Sequence, residues 1–162
     1  MASVSGLNAQ HRKKARSLCM QALNIAYRNA AQVHYTQGPK RWEGIDKDLK
    51  AYRGQYPHYA DCSSFATWAI WNGLDHYHVR DTVNALAWKA GYTGTMLKHG
   101  KLVTRKRSWK RGDCFIYGSG WPGKHVAVYI GGGYCISHGS EGGPYKVRWD
   151  YRPDLMEVRR YI

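Results

Sequence analysis

An α+β fold is predicted for this 162-residue chain because its hydrophobic periodicity changes once along its length. Before about residue 100, apolar residues recur at the offsets of three and four that mark helices; beyond it, short β-branched and aromatic runs alternate with a period of two. Helices first and strands afterwards give segregated layers. The length suits one domain, residues 1–162, with a single core. Seven Trp and thirteen Tyr in a sequence that is 43% apolar supply packing material for it.

Residues 1–38 form the first segment. Within it Ala15, Leu18, Cys19, Ala22, Leu23, Ala26, Ala30 and Val33 lie on one face of a helix expected over residues 7–37, which Gly38 and Pro39 stop. Residues 39–61, rich in Gly, Pro and charge, read as an irregular connection. The third segment, 62–91, carries two helices. One runs from Cys62 to Asn72, with Asp61 as its N-cap and Gly73 after its end; the other runs from Thr82 to Ala90 between an Asp81 cap and a Gly91 stop. Residues 100–162 contain "KLVT", "DCFIYG", "HVAVYIG", "YCISHG", "YKVRW" and "MEVRRYI", which together read as an antiparallel meander.

Lys and Arg number 25 against 11 acids, a formal charge of +14. The excess gathers in "HRKKAR" (11–16) and "KHGKLVTRKRSWKR" (98–111), so polyanions are the partners that charge alone suggests. Cys19, Cys62, Cys114 and Cys135 are widely spaced with no CxxC pair, which argues against a zinc ribbon or redox dithiol and for free thiols. No metal or organic cofactor is expected. No run approaches the length of a membrane span, and the N-terminus lacks an uninterrupted apolar signal core. Synthesis in the cytosol without a signal peptide is therefore expected.

Chemistry concentrates at "YADCSSFATWAIWNG", residues 59–73. A cysteine attacks as its thiolate, and a helix N-terminus favours that anion through unpaired N–H groups and the macrodipole. Cys62, behind the Asp61 cap, has that position, and the same N–H groups can donate to an oxyanion. The base is sought in "HVAVYIGGGYCISHG", where His125 and His138 flank a glycine turn. A two-residue Gly131–Gly132 loop would pair the two rings across the strands with Cβ atoms about 4.5–5.5 Å apart. One ring would then take the thiol proton while the other orients it.

"DCSSF", "RGDCFIYG" and "HVAVYIGGGYCISHG" together resemble, in order, the three blocks of NlpC-type cell-wall cysteine peptidases, a branch of the papain-like superfamily that also contains the CHAP amidases. The resemblance spans roughly residues 52–139. It implies a papain-like NlpC-type fold and a peptidoglycan hydrolase that cuts amide bonds of the peptide stem or cross-bridge. It also implies Cys62 as nucleophile, His125 as base and His138 as the orienting third residue. A tyrosine upstream of the nucleophile is often found near the oxyanion in this family; Tyr52, Tyr56 and Tyr59 compete for that place, with Tyr52 favoured. Asp61 and Ser63 are further candidates around the oxyanion and substrate. Ser64 stands where relatives usually have glycine, and their Gly-Gly pair is reduced to Gly54.

"SHGSEGGP" and "RWEGI" resemble segments of phage endolysin peptidase modules. That likeness implies a protein made in the host cytoplasm that acts at the bacterial wall, its basic surface drawn to anionic wall polymers; a monomer is expected. Two alternatives stay open: a CHAP-like N-acetylmuramoyl-L-alanine amidase, and a basic nucleic-acid- or wall-binding module without catalysis. The three ordered blocks argue against the second, so no specific nucleic-acid partner is expected.

Overall fold

The computed structural model describes residues 3–140 and 142–162; Met1, Ala2 and Glu141 lie outside the described residues. Helix α1 (Ala9–Arg28) starts at Asn8, whose side chain accepts from His11 N–H at 2.8 Å, and buries Ala15, Cys19, Ala22, Leu23 and Ala26. It ends well before residue 37. Asn29 turns its side chain back onto the Ile25 carbonyl at 2.8 Å, and the chain leaves to form β1 (His34–Tyr35). This strand pairs in parallel with β2 (Tyr59–Ala60). Pairing with the segment before Cys62 therefore overrides the helical periodicity, as tertiary contacts can override a weak local preference.

A short helix α2 (Glu43–Asp46) interrupts the connection. Helix α3 (Cys62–Leu74) is buried on nearly all sides, which explains its almost continuous apolar sequence. Gly73 lies inside this helix instead of ending it. A Cβ there would sit 2.5 Å from the Ala15 carbonyl oxygen, so α1 and α3 can cross this closely only over glycine.

The helix expected over 82–90 does not form. The Asp81 carboxylate accepts N–H bonds from Val83, Asn84, Leu86 and Trp88 at 2.8–3.1 Å, and Ala85, Ala87 and Trp88 have positive φ. One side chain has displaced the carbonyl acceptors of a helix, a competition open to Asp. A single turn, α4 (Thr93–Met96), follows.

Six strands complete the fold: β3 (Lys101–Leu102), β4 (Cys114–Tyr117), β5 (His125–Gly131), β6 (Tyr134–Gly139), β7 (Gly142–Arg148) and β8 (Leu155–Arg160). Their order is β3-β8-β4-β5-β6-β7, with antiparallel neighbours. The expected meander holds from β4 to β7, but β8 crosses back to pair with β4 and carries β3 on its outer edge. One sheet face, with Cys114, Ile116, Val126, Val128 and Ile136, packs into the helical core. The other, with Phe115, Tyr117, Ala127, Tyr129 and Cys135, is covered by Trp109, Trp149 and their neighbours. All four cysteines are free and buried. Among the described residues no helix is long and apolar enough to cross a membrane.

Gly73→Ala is expected to force α1 from α3 and destabilise the fold by about 1–3 kcal/mol, the usual range for overpacking. The midpoint of urea unfolding measures it.

Candidate active site

The start of α3 is held by a reciprocal capping box. Asp61 Oδ1 accepts from Ser64 N–H at 2.8 Å, and Ser64 Oγ accepts from Asp61 N–H at 2.9 Å. Ser64 thus has a defined task at the position where glycine is usual in the family it resembles. Arg41 grips the same carboxylate with both arms of its fork: Nε donates to Oδ2 at 2.7 Å and Nη2 to Oδ1 at 3.0 Å. Its remaining donors reach Ser63 Oγ and the Gly91 carbonyl, and its guanidinium stacks 4.4 Å from the Trp42 ring centroid. Two residues on, Glu43 Oε2 accepts from the N–H groups of His58 and Tyr59, each at 3.0 Å. The "RWEGI" stretch therefore straps down the backbone that leads into Cys62. No local pattern reveals this role, because nothing near residues 41–45 in the sequence shows what their charges face.

Cys62 is 9% exposed. Its sulfur faces the N–H of Ser63, at the first turn of α3, and the N–H of Val126, the residue that directly follows His125 on β5. Those donors and the Arg41 charge favour the thiolate. Burial, then the adjacent Asp61 charge, outweigh them and push the thiol up to about 11. The helix N-terminus does not by itself deliver the expected thiolate at neutral pH, so the proton must be removed as the sulfur attacks.

The two histidines divide between the faces of the sheet. Pairing of Ala127 with Ser137 and Val128 with Ile136, followed by a bulge between Tyr129 and Gly131, moves the turn to Gly132–Gly133. Gly131, Gly132 and Gly133 all have positive φ, which three glycines accept without strain. This register differs by one residue from the expected one, and one residue exchanges the faces. His125 consequently lies with its Nε2 2.7 Å from Ser137 Oγ, which is in turn 3.2 Å from the Tyr151 hydroxyl. His138 points the other way, into the helical core between Tyr35 and Phe65, with Nε2 donating to the Ala60 carbonyl at 3.1 Å. The expected His125–His138 pair is therefore corrected: Ser137 takes the place beside His125, and His138 holds the end of β2 just ahead of Asp61.

The remaining candidates also move. Tyr52 is 59% exposed beside Asn72, about 15 Å along α3 from Cys62 at 1.5 Å per residue, too far to reach an oxyanion there. Tyr56 bonds Gln32, and Tyr59 lies in β2 against Lys40 and His34. Asp61 is a buried, ion-paired cap whose negative charge would repel an oxyanion. The Ser63 hydroxyl is taken up by Asp61 and Arg41, which leaves its backbone N–H as the useful donor. His125, Tyr145, Val147, Tyr151 and Arg152 line an open groove of about 670 Å³, giving a ligand access to the imidazole. Among the described residues no group of three or more His, Cys, Asp or Glu could hold a metal ion.

A capped cysteine helix packed on an antiparallel sheet, with histidine at the start of the adjacent strand, defines a papain-like α+β domain. Residues 41–151 match the NlpC/P60 family, and the chain belongs to that family. No match was found among curated protein sequences. Several solved structures share the fold. The peptidoglycan hydrolase RipB from Mycobacterium tuberculosis is 21% identical with a TM-score of 0.60, the alignment covering 98% of this chain and 70% of RipB. The P60 domain of an antigen from M. avium subspecies paratuberculosis is 18% identical with a TM-score of 0.58, covering 94% and 98%. NlpC2 from Trichomonas vaginalis is 18% identical with a TM-score of 0.57 over 96% of this chain; the chain spans about half of that protein, 48% of its length.

Arg41→Met is expected to strand the buried Asp61 carboxylate and destabilise the protein by about 3–5 kcal/mol in urea unfolding, with Arg41→Lys restoring only part of it. The buried thiols give a second expectation. Burial raises Cys19 and Cys135 from 9.0 to about 12, so the unfolded chain loses these protons first. Stability is then complete below pH 9 and falls as pH rises from 9 towards 12. Unfolding midpoints at successive pH values check this.

Proposed function

We propose that this protein is a peptidoglycan hydrolase, a cysteine endopeptidase that cleaves amide bonds of the cell-wall peptide stem or cross-bridge. The observation that carries the reading is the meeting of Cys62, at the capped start of α3, with the backbone of β5 at the residue next to His125. Membership of the NlpC/P60 family and the likeness in fold to a peptidoglycan hydrolase support the substrate class.

In this reading Ser137 anchors His125 through Nε2, and Nδ1, the ring nitrogen nearer the backbone where the sulfur sits, takes the Cys62 proton. Sulfur adds to the amide carbonyl, and the new oxyanion accepts from the Ser63 N–H. Collapse breaks the C–N bond while His125 returns the proton to the departing amine. Water, deprotonated by the same imidazole, then hydrolyses the thioester and regenerates the thiol. A thiol that rests protonated suits a mechanism in which proton transfer accompanies attack.

The finer assignment, a phage lysin delivered from the host cytoplasm to the wall, rests on the "RWEGI" and "SHGSEGGP" likenesses; Glu141 of the latter lies outside the described residues.

Cys62→Ala and His125→Ala are expected to abolish release of peptides from purified sacculi while circular dichroism stays unchanged. Ser137→Ala should lower kcat roughly tenfold, the loss of one hydrogen bond on the base. Lysis that persists without Cys62, or that stops with a chelator, would sink the reading. Mass spectrometry of the products separates internal stem cleavage from the amidase alternative, in which whole stems leave the glycan.

A further inference from the structure

At the other end of α3 lies a second cavity, half open and of about 600 Å³. Ile162 lines it and also abuts Gly73, which places the cavity about 17 Å along α3 from Cys62 at 1.5 Å per residue. Its walls gather cations from remote parts of the sequence: Arg12 and Arg16 from the first basic run, Lys101 and Lys110 from the second, and Arg160 from β8. Two acids stand nearby and both are occupied. Asp81, on the wall, accepts the four loop N–H groups described above. Asp113 is clamped by Arg160 through two bonds of 2.8 Å and caps the Lys110 N–H at 2.8 Å.

Among the described residues Arg12, Arg16 and Lys110 form no salt bridge.

A fold gains nothing from crowding like charges around a cavity. Burial, then the Arg160 charge, lower Arg16, and the Arg16 charge, then burial, lower Lys110, with Asp113 offsetting part of each. Convergent cationic donors, of which Arg12, Arg16 and Lys110 carry no ion-pair partner among the described residues, are what a bound oxyanion would complete, with bidentate guanidinium contacts favouring phosphate geometry.

We propose that this cavity is a binding site for a phosphate group, formed by Arg12, Arg16 and Lys110 beside the Asp113-clamped Arg160, and separate from the nucleophile. The group is carried either by a small phosphorylated molecule or by the phosphodiester chain of an anionic polyol-phosphate polymer. A half-open pocket of this size has room for a phosphate on a slender chain.

Isothermal titration of the full chain with inorganic pyrophosphate, and separately with poly(glycerol phosphate), tests the site. Arg16→Gln/Lys110→Gln is expected to weaken binding roughly a hundredfold, about tenfold for each charge-assisted contact. Lys13→Gln/Lys89→Gln, which removes the same charge from exposed positions elsewhere, should change it less than about threefold. Without ligand the pocket variant should unfold at no lower urea concentration than wild type, because repulsion has been relieved. Binding of pyrophosphate alone assigns the small-molecule source; polymer binding that pyrophosphate displaces assigns the polymer. Equal losses in both variants, no binding of either probe, or preferential binding of duplex DNA that is indifferent to Arg16 and Lys110 would each overturn the proposal.

Discussion

The Asp61 carboxylate is the group on which the rest of the architecture turns. It caps α3, exchanges hydrogen bonds with Ser64, and takes both arms of the Arg41 guanidinium while almost fully buried. A buried charge is tolerated only when it is paired and saturated with hydrogen bonds, so the cap, the arginine and the loop carrying Gly91 stand or fall together. The orientation of the Cys62 sulfur follows from that coupling, because Cys62 is the first residue beyond the cap.

Placing a nucleophile in such an environment sets two demands against each other. Packing α3 into the core fixes the sulfur, but the same desolvation disfavours the thiolate more than the first-turn N–H groups favour it. The sheet supplies what the helix cannot. β5 presents a backbone N–H to the sulfur and holds His125 alongside Ser137 and Tyr151, on the face that opens to the groove. The opposite face uses its histidine differently: His138 fills the core between Tyr35 and Phe65 and pins the strand that precedes the cap. Two histidines thirteen positions apart thus serve separate purposes, one beside a groove and one beneath the backbone.

Much of this was legible without coordinates wherever the determinant was local. Asp61 followed by an apolar run announces the start of α3, and alternating β-branched residues announce β4, β5 and β6. The errors share one origin. Asp81 looks like a helix cap in sequence, yet its carboxylate gathers the backbone of a tight loop. Residues 29–37 keep helical periodicity, yet β2 recruits His34 and Tyr35 into a strand. Gly73 reads as a helix stop until the Ala15 carbonyl is seen against it. In each case a partner distant in sequence decided between conformations that are nearly equal locally.

The sequence by itself determined the α+β layering, the capped cysteine at a helix start and the strand that carries His125, because periodicity and capping depend on neighbours within a turn or two. The tertiary structure decided that Arg41 and Glu43 brace the nucleophile segment, that Ser137 meets His125, and that two separate basic runs face one cavity. A glycine hairpin can form with either of two registers, and only packing of the sheet against α3 selects which residues face inward. Contacts of that kind depend on positions far apart along the chain, which no local pattern encodes.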